Sequence, residues 1–277
     1  MLKLIAALGI MLLIPTAAWA DWSEDCAQKI FKAEQAGEMV ENPGALRPGL
    51  TVDEAYQVSR ALSAKLVEKG GPIVGYKGAL TGRAAQEKFG VDQPAHGIIT
   101  KAMLLEPGAK IKPADFRRLF LEVEIALFLA RDITQPLADV KEAQDAVEFV
   151  APAVELPDIR FKDMKTVKGP DIIADNAGAA AVIIGPRIKL DAPESVDQVE
   201  TKLYLEDKIV NQGKAVDALG GQYQALLWLA NSVVSRGGKL EKGAFVITGA
   251  TGQMIPGKPG RYKAEFGPLG TIEFTVE

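Results

Sequence analysis

The sequence predicts an α+β protein in which a helical N-terminal portion precedes a curved mixed β-sheet. Three observations predict it. Apolar residues recur at helical spacing as far as Lys69, short β-rich runs take over from Pro72, and those runs do not alternate regularly with helices as a doubly wound parallel sheet requires.

In chain order, MLKLIAALGIMLLIPTAAWA supplies Lys3 as a positive start, an apolar run from Leu4 to Ile14, and Ala18-Trp19-Ala20 as a small-x-small cleavage site. This is the pattern of a secretory signal. The run is too short to span a bilayer, so cleavage after Ala20, export to the periplasm and no later membrane contact are expected. Residues 21–277 then form a single domain, helical over 21–70 and β-rich over 71–277. Residues 23–39 carry apolar residues near helical spacing, with Ser23 placed to cap a first helix. From Thr51 to Lys69 a second helix is clearer: Thr51 and Glu54 make a capping box, Ala55, Val58, Leu62 and Leu66 form one stripe, and Gly70-Gly71 stop it.

Strands are expected at 73–77, 120–130, 150–156, 181–184, 202–210, 244–248 and, with interruptions, 260–274. Helices are interspersed at 81–88, 140–147 and 222–236. No internal repeat or low-complexity linker interrupts the order.

Composition removes several chemistries. Net charge is −4 and the basic residues are scattered, so no footprint for a phosphate backbone exists and nucleic acid is not an expected partner. Cys26 is the only cysteine and His96 the only histidine. An internal disulfide, a thiolate zinc site and a multi-histidine metal site are thereby excluded, so any metal must be bound mainly by oxygen. Neither a G-x-S-x-G elbow, a Walker loop nor G-x-G-x-x-G occurs, which disfavours triad hydrolysis and nucleotide-dependent chemistry.

The informative segment is RLFLEVEIALFLARD, residues 118–132. Strand alternation puts Leu121, Val123 and Ile125 on one face and Glu122, Glu124 and Ala126 on the other. Phe128 and Ala130 continue that second face as apolar residues, so it is an apolar face holding a local pair of acids. Two such acids repel and are costly to bury without a cation. Glu155 stands in the same way inside FVAPAVELPDIRF, either as a third metal ligand or as a strand-end acid paired with Arg160 or Lys162. Three carboxylates would leave positions open on an octahedral Mg²⁺ or Mn²⁺ ion for water and a bidentate ligand. Lys77, among glycines in GPIVGYKGALTG, is suited to fix a substrate carboxylate or move protons, or is a surface lysine. Asp175-Asn176 suit a helix cap or a pocket wall, and TGATGQ at 248–253 suits an anion-holding loop or a plain turn.

In this order, GYKGALTGRAAQEKFGVDQP, FLEVEIALFLARDI, APAVELPDIRF, ADNAGAAAVIIG, ALGGQYQALLWLANSVVSRGGKLEKGAFVITGATG and EFGPLGTIEF resemble the 2-keto-4-pentenoate hydratase and 4-oxalocrotonate decarboxylase group of the fumarylacetoacetase C-terminal-like superfamily. The resemblance covers about residues 70 to 277. It implies a curved mixed β-roll of the fumarylacetoacetase C-terminal type, a Mg²⁺ or Mn²⁺ site, a small-molecule 2-oxo acid substrate and a homo-oligomer. It places Glu122, Glu124 and Glu155 on the metal, Lys77 in the pocket as a catalytic group, and Asp175, Asn176 and Thr251 at the substrate. Two blocks depart from the family pattern: Pro94-Ala95-His96-Gly97 replaces P-D-F-G, and Leu219-Gly220-Gly221-Gln222 replaces L-G-H-P. The first loses an acid and adds His96, expected as an acid-base group or as a structural histidine beside the loop.

The expected activity is hydration of a 2-hydroxy-2,4-dienoate or its 2-oxo-enoate tautomer. Competing expectations are decarboxylation of a 2-oxo diacid, which uses the same chelate, and non-catalytic binding of 2-oxo acids by an exported protein.

Overall fold

The computed structural model describes residues 16–190 and 192–277. The expected leader lies, up to Pro15, outside the described residues. Among the described residues no helix is long and apolar enough to cross a membrane.

The helical portion comprises α1 (Thr16–Ala36), the single turn α2 (Pro43–Leu46) and α3 (Val52–Gly70). The capping box on α3 forms as its sequence predicts. Glu54 N donates to Thr51 Oγ1 at 3.3 Å and Thr51 N donates to Glu54 Oε2 at 2.9 Å. Ala55, Val58, Leu62 and Leu66 are buried, and Gly71 ends the helix at φ 80°, a conformation open to glycine.

The remaining elements are β1 (Ile73–Ala79), α4 (Arg83–Phe89), β2 (Ala95–Thr100), β3 (Leu104–Leu105), β4 (Lys110–Ile111), β5 (Phe120–Leu129), α5 (Val140–Asp145), β6 (Val147–Leu156), α6 (Gly169–Ala174) and β7 (Ala181–Ile184). They continue with β8 (Glu200–Leu205), β9 (Lys208–Lys214), α7 (Gln222–Ser235), β10 (Phe245–Ile247), β11 (Ile255–Pro256), β12 (Gly260–Glu265) and β13 (Thr271–Val276). Among the described residues they build a larger curled sheet of order β2-β1-β10-β5-β6-β7-β3, with β11 on β5, and a smaller one of order β4-β13-β12-β8-β9. The β1/β10, β3/β7 and β4/β13 pairs are parallel and the others antiparallel, so the sheets are mixed as expected.

The larger sheet has two apolar faces. Leu121, Val123, Ile125 and Leu127 of β5 pack with Leu203, Tyr262 and Phe274 of the smaller sheet and Leu226 and Leu229 of α7. Ala126 and Phe128, on the alternate face, pack with Ala151, Ala153 and Ile247 against Cys26 and Ile30 of α1, Val58 and Leu62 of α3 and Ile173 of α6. The N-terminal helices therefore cover the face that carries Glu122 and Glu124.

Three details differ from the sequence reading. The run 202–210 is a hairpin, β8 and β9, turned at Glu206, whose φ of 51° is left-handed. Strand β2 follows Pro94 directly in a segment rich in turn residues. Helix α6 begins at Gly169-Pro170, where proline is tolerated because a first-turn N–H needs no helical partner.

Candidate active site and metal centre

Glu122 and Glu155 are direct partners across the β5/β6 ladder, and Glu124 lies two residues along β5 on the same face. One carboxylate oxygen from each lies within 4.8 Å of the other two. Glu124 and Glu155 are fully buried and Glu122 is half-buried. Lys77 arrives on the same face through the chain of partners Lys77, Ile247 and Ala126 across β1, β10 and β5. It is 2% exposed, and its Nζ lies 2.5 Å from Glu155 Oε1. The sequence alternative of a Glu155 pair with Arg160 or Lys162 gives way to this one.

Gly249 N donates to Glu124 Oε2 at 2.7 Å. Glu124 Oε1 and Glu155 Oε2 are buried with no hydrogen-bond partner. Burial, then the Glu155 charge, push Glu122 up to about 7 against the pull of Lys77. Glu124 is raised well above the carboxylate range by burial and by Glu155 and Glu122. For Lys77 burial works against the charged form, yet the surrounding carboxylates outweigh it and hold the ammonium above its ordinary value. Three acids and one ammonium leave a net −2 when ionised, with acceptor oxygens lacking donors. A hard divalent cation supplies what is missing, so the residues fit Mg²⁺ or Mn²⁺.

The loop after β10 closes one side. Thr251 N and Oγ1 both donate to Val123 O at 2.8 Å, and Thr251 Oγ1 lies 2.7 Å from Thr201 Oγ1. These bonds tie the loop to β5 between the two glutamates and set Gly249 N against Glu124. Thr248 Oγ1 donates to Gln222 Oε1 at 2.6 Å, and Gln222 Nε2 to Ala215 O at 2.8 Å.

Asp175 and Asn176 follow α6. Both Asp175 carboxylate oxygens are taken by Arg160, at 3.0 and 3.2 Å. Burial pushes Asp175 up to about 6 against the pull of Arg160, which lies 3.5 Å from Glu34 of α1. Asn176 clamps Ile98 in β2, accepting from its N at 2.8 Å and donating to its O at 3.0 Å. Gly97 is needed here, since a Cβ would lie 2.5 Å from Asn176 O. Thr251, Asp175 and Asn176, expected at the substrate, are thus committed to protein partners, and their geometry is that of residues that build and align the walls.

His96 requires a correction. It pairs with Gly78, while Lys77 pairs with Gly97. Directly opposed residues share a face and successive ones alternate, so His96 lies on the other face of the sheet from Lys77. The structure brings Lys77, Glu122, Glu124 and Glu155 together and leaves His96 out. Arg160, Gly249 N, Gln222 and Thr201 were not singled out as functional from sequence. The Arg160–Asp175 and Gly249–Glu124 partners lie 15 and 125 residues apart in the chain, beyond any local pattern.

A curled mixed sheet bears a buried carboxylate triad beside a buried lysine, a cluster that could hold a divalent cation. The chain belongs to the fumarylacetoacetate (FAA) hydrolase C-terminal family, whose model matches residues 77–277. It is 30% identical over 254 residues to 2-keto-4-pentenoate hydratase 1 of Dechloromonas aromatica (strain RCB), covering 90% of this chain and 95% of that one. It is 32% identical over 229 residues to a 4-oxalocrotonate decarboxylase of Pseudomonas sp, covering 82% and 88%. The 4-oxalocrotonate decarboxylase from Pseudomonas putida G7, complexed with magnesium and adipate, superposes with a TM-score of 0.88 at 22% identity over 93% of this chain and 98% of that one, which shows the shared fold.

Proposed function

We propose that this family member is a divalent-metal-dependent hydro-lyase that hydrates a 2-hydroxy-2,4-dienoate or its 2-oxo-enoate tautomer. The observation that carries the reading is the buried triad with Lys77 at 2.5 Å from Glu155, in a chain 30% identical to a hydratase over 90% of its length. Glu122, Glu124 and Glu155 would hold Mg²⁺ or Mn²⁺, which when bound supplies Lewis-acid stabilisation to the enolate form of a 2-oxo carboxylate.

Lys77 is the one cation of the cluster, and the carboxylates around it keep its proton on Nζ. That proton is available to the substrate at C5 as the dienol becomes the 2-oxo-3-enoate, and the proton lost from the 2-hydroxyl restores the ammonium. Water then adds its hydroxyl at C4 and a proton at C3. The helices packed over this face exclude bulk water, which strengthens every charge interaction at the site. Asp175, Asn176 and Thr251 act in this reading by aligning β2, β5 and the loop around Gly249.

The test follows the dienol absorbance of 2-hydroxypenta-2,4-dienoate with Mg²⁺-loaded protein. Metal-dependent loss is expected, with Glu124→Gln reducing kcat/KM by at least about a thousandfold. Loss without metal dependence, or Glu122→Gln matching wild type, overturns the reading. Release of carbon dioxide from a 2-oxo diacid in place of dienoate hydration would assign the decarboxylase activity of the second relative. Tight oxalate binding with no turnover would assign a binding protein.

We also infer that residues 1–20 direct export and that the mature protein is a periplasmic homo-oligomer. Mass spectrometry of the periplasmic fraction should find a chain beginning at Asp21, and sedimentation a mass above one subunit. An uncleaved chain confined to the cytosol, or a monomer, overturns the respective inference.

A further inference from the structure

A separate cavity lies on the face of the larger sheet opposite Lys77. Its volume is about 590 Å³, and Tyr56 and Arg60 of α3, Tyr76 of β1, His96 and Ile98 of β2, and Arg236 just past α7 form its walls. None of Lys77, Glu122, Glu124 and Glu155 lines it. Strand alternation separates the two sites, since Tyr76 precedes Lys77 and His96 precedes Gly97 on paired strands.

The walls are aromatic and the charge is positive. His96 stacks on Tyr56 with ring centroids 4.6 Å apart, and Trp228 lies 6.5 Å from His96. The Arg236 guanidinium sits 4.1 Å above the Tyr56 ring. Its acidic partner is Asp53 at 3.3 Å, a side chain 87% exposed. Arg60 donates to the Arg236 backbone carbonyl. Lys239 and Glu241, also on the wall, offset each other at 2.8 Å. Two guanidinium groups therefore face an apolar and aromatic surface with one solvent-exposed carboxylate against them. His96 Nε2 is buried without a partner, and burial, then the Arg236 charge, hold the imidazole neutral by pushing it down to about 3.

We propose that this cavity is a second ligand site, distinct from the carboxylate cluster, for a small monocarboxylic acid with an apolar body. Arg60 and Arg236 hold the carboxylate, and Tyr56, Tyr76 and Ile98 receive the body. The guanidinium fork matches a single carboxylate, while a cation is repelled and a second anionic group would lie against apolar wall. A cavity of this size suits a ligand of small-molecule dimensions. An occupant borders β1, the strand that carries Lys77.

His96 is the only histidine, so its imidazole resonances form a single reporter inside the cavity. The probes are benzoate and hexanoate, with benzyl alcohol and hexanol as uncharged controls, titrated into the intact protein. Saturable shifts are expected for the acids, with the alcohols weaker by about tenfold. Arg60→Gln should weaken the acids by about tenfold, and Glu124→Gln, in the other site, should change them by less than about twofold. Ser63→Phe fills the cavity from α3 and should abolish the shift without touching charge. No saturable shift, equal response to the alcohols, or indifference to both cavity variants overturns the proposal. Loss in Glu124→Gln would place the acid in the carboxylate cluster and also overturns it. So does a change of sedimenting mass in Arg60→Gln without any acid response, which would make the cavity an interface between copies of this chain.

Discussion

Lys77 is buried on a sheet face made largely of alanine, valine, isoleucine, phenylalanine and glutamate, and its ammonium is the cluster's only positive charge. Lys77→Met should therefore leave Glu155 buried without its partner, at a cost of about 3 kcal/mol, or a Tm lower by roughly 6–12 °C for a domain of this size. Mg²⁺ should recover part of that loss, because the ion supplies the missing charge. Calorimetry of wild type and variant with and without Mg²⁺ checks both, and an unchanged metal-free Tm would show that Lys77 is not needed to hold the acids. In wild type, Mg²⁺ at a hundred times its Kd should add about 2.7 kcal/mol, and Glu155→Gln should reduce that gain sharply. The triad was legible in the sequence because each glutamate interrupts an apolar strand, a pattern solvation does not explain. His96 was misplaced for a related reason. Without β2 assigned, its face could not be known, and nearness in sequence to a family motif stood in for position.

Between residues and sheet, the loop at 248–253 is the element on which the site's precision rests. Thr251 anchors it through two bonds to Val123 O and one contact with Thr201, and Gly249 N reaches Glu124 as a result. Thr251→Val keeps the shape but strips the hydroxyl from a buried pair, which should cost about 1–3 kcal/mol. Displacement of Gly249 N from Glu124 should also weaken Mg²⁺ binding several-fold, by about 1 kcal/mol. Thr251→Ser should preserve both quantities, and melting with metal titration of the two variants distinguishes a loop anchor from a generic packing defect. At the first helix of clear pattern, Thr51→Ala should remove about 1 kcal/mol through loss of the capping box, read by denaturant unfolding. Helix α3 was legible down to its cap because capping is local chemistry. The β8/β9 turn and strand β2 were not, since Glu206 adopts a left-handed φ without glycine and β2 is specified by its pairing with β1.

At the scale of the whole molecule, one curled sheet divides two environments: acids and a lysine beneath the N-terminal helices, and an aromatic, arginine-bearing cavity on the reverse. The division was half visible in sequence, through alternation along β5, while the reverse face depends on contacts among α3, β2 and α7 that no local pattern reports. It has a consequence for acid stability. The folded His96 stays neutral down to about 3, whereas an unfolded histidine takes a proton near 6.5. Between those values the unfolded state binds more protons, so stability is present in full above about 6.5 and is lost as pH falls toward 3. The ring is half-buried, which discounts the effect to roughly 1–3 kcal/mol. Glu122 acts in the opposite direction in part of the window: with its folded value raised to about 7, it contributes stability at low pH that is lost as pH rises through 7. The two are separated by difference. His96→Phe keeps a ring against Tyr56 and removes the titration, so wild type minus variant should lose stability steadily from pH 6.5 to 4 in metal-free buffer, while a flat difference would mean that His96 accepts its proton in the folded state as readily as in the unfolded one.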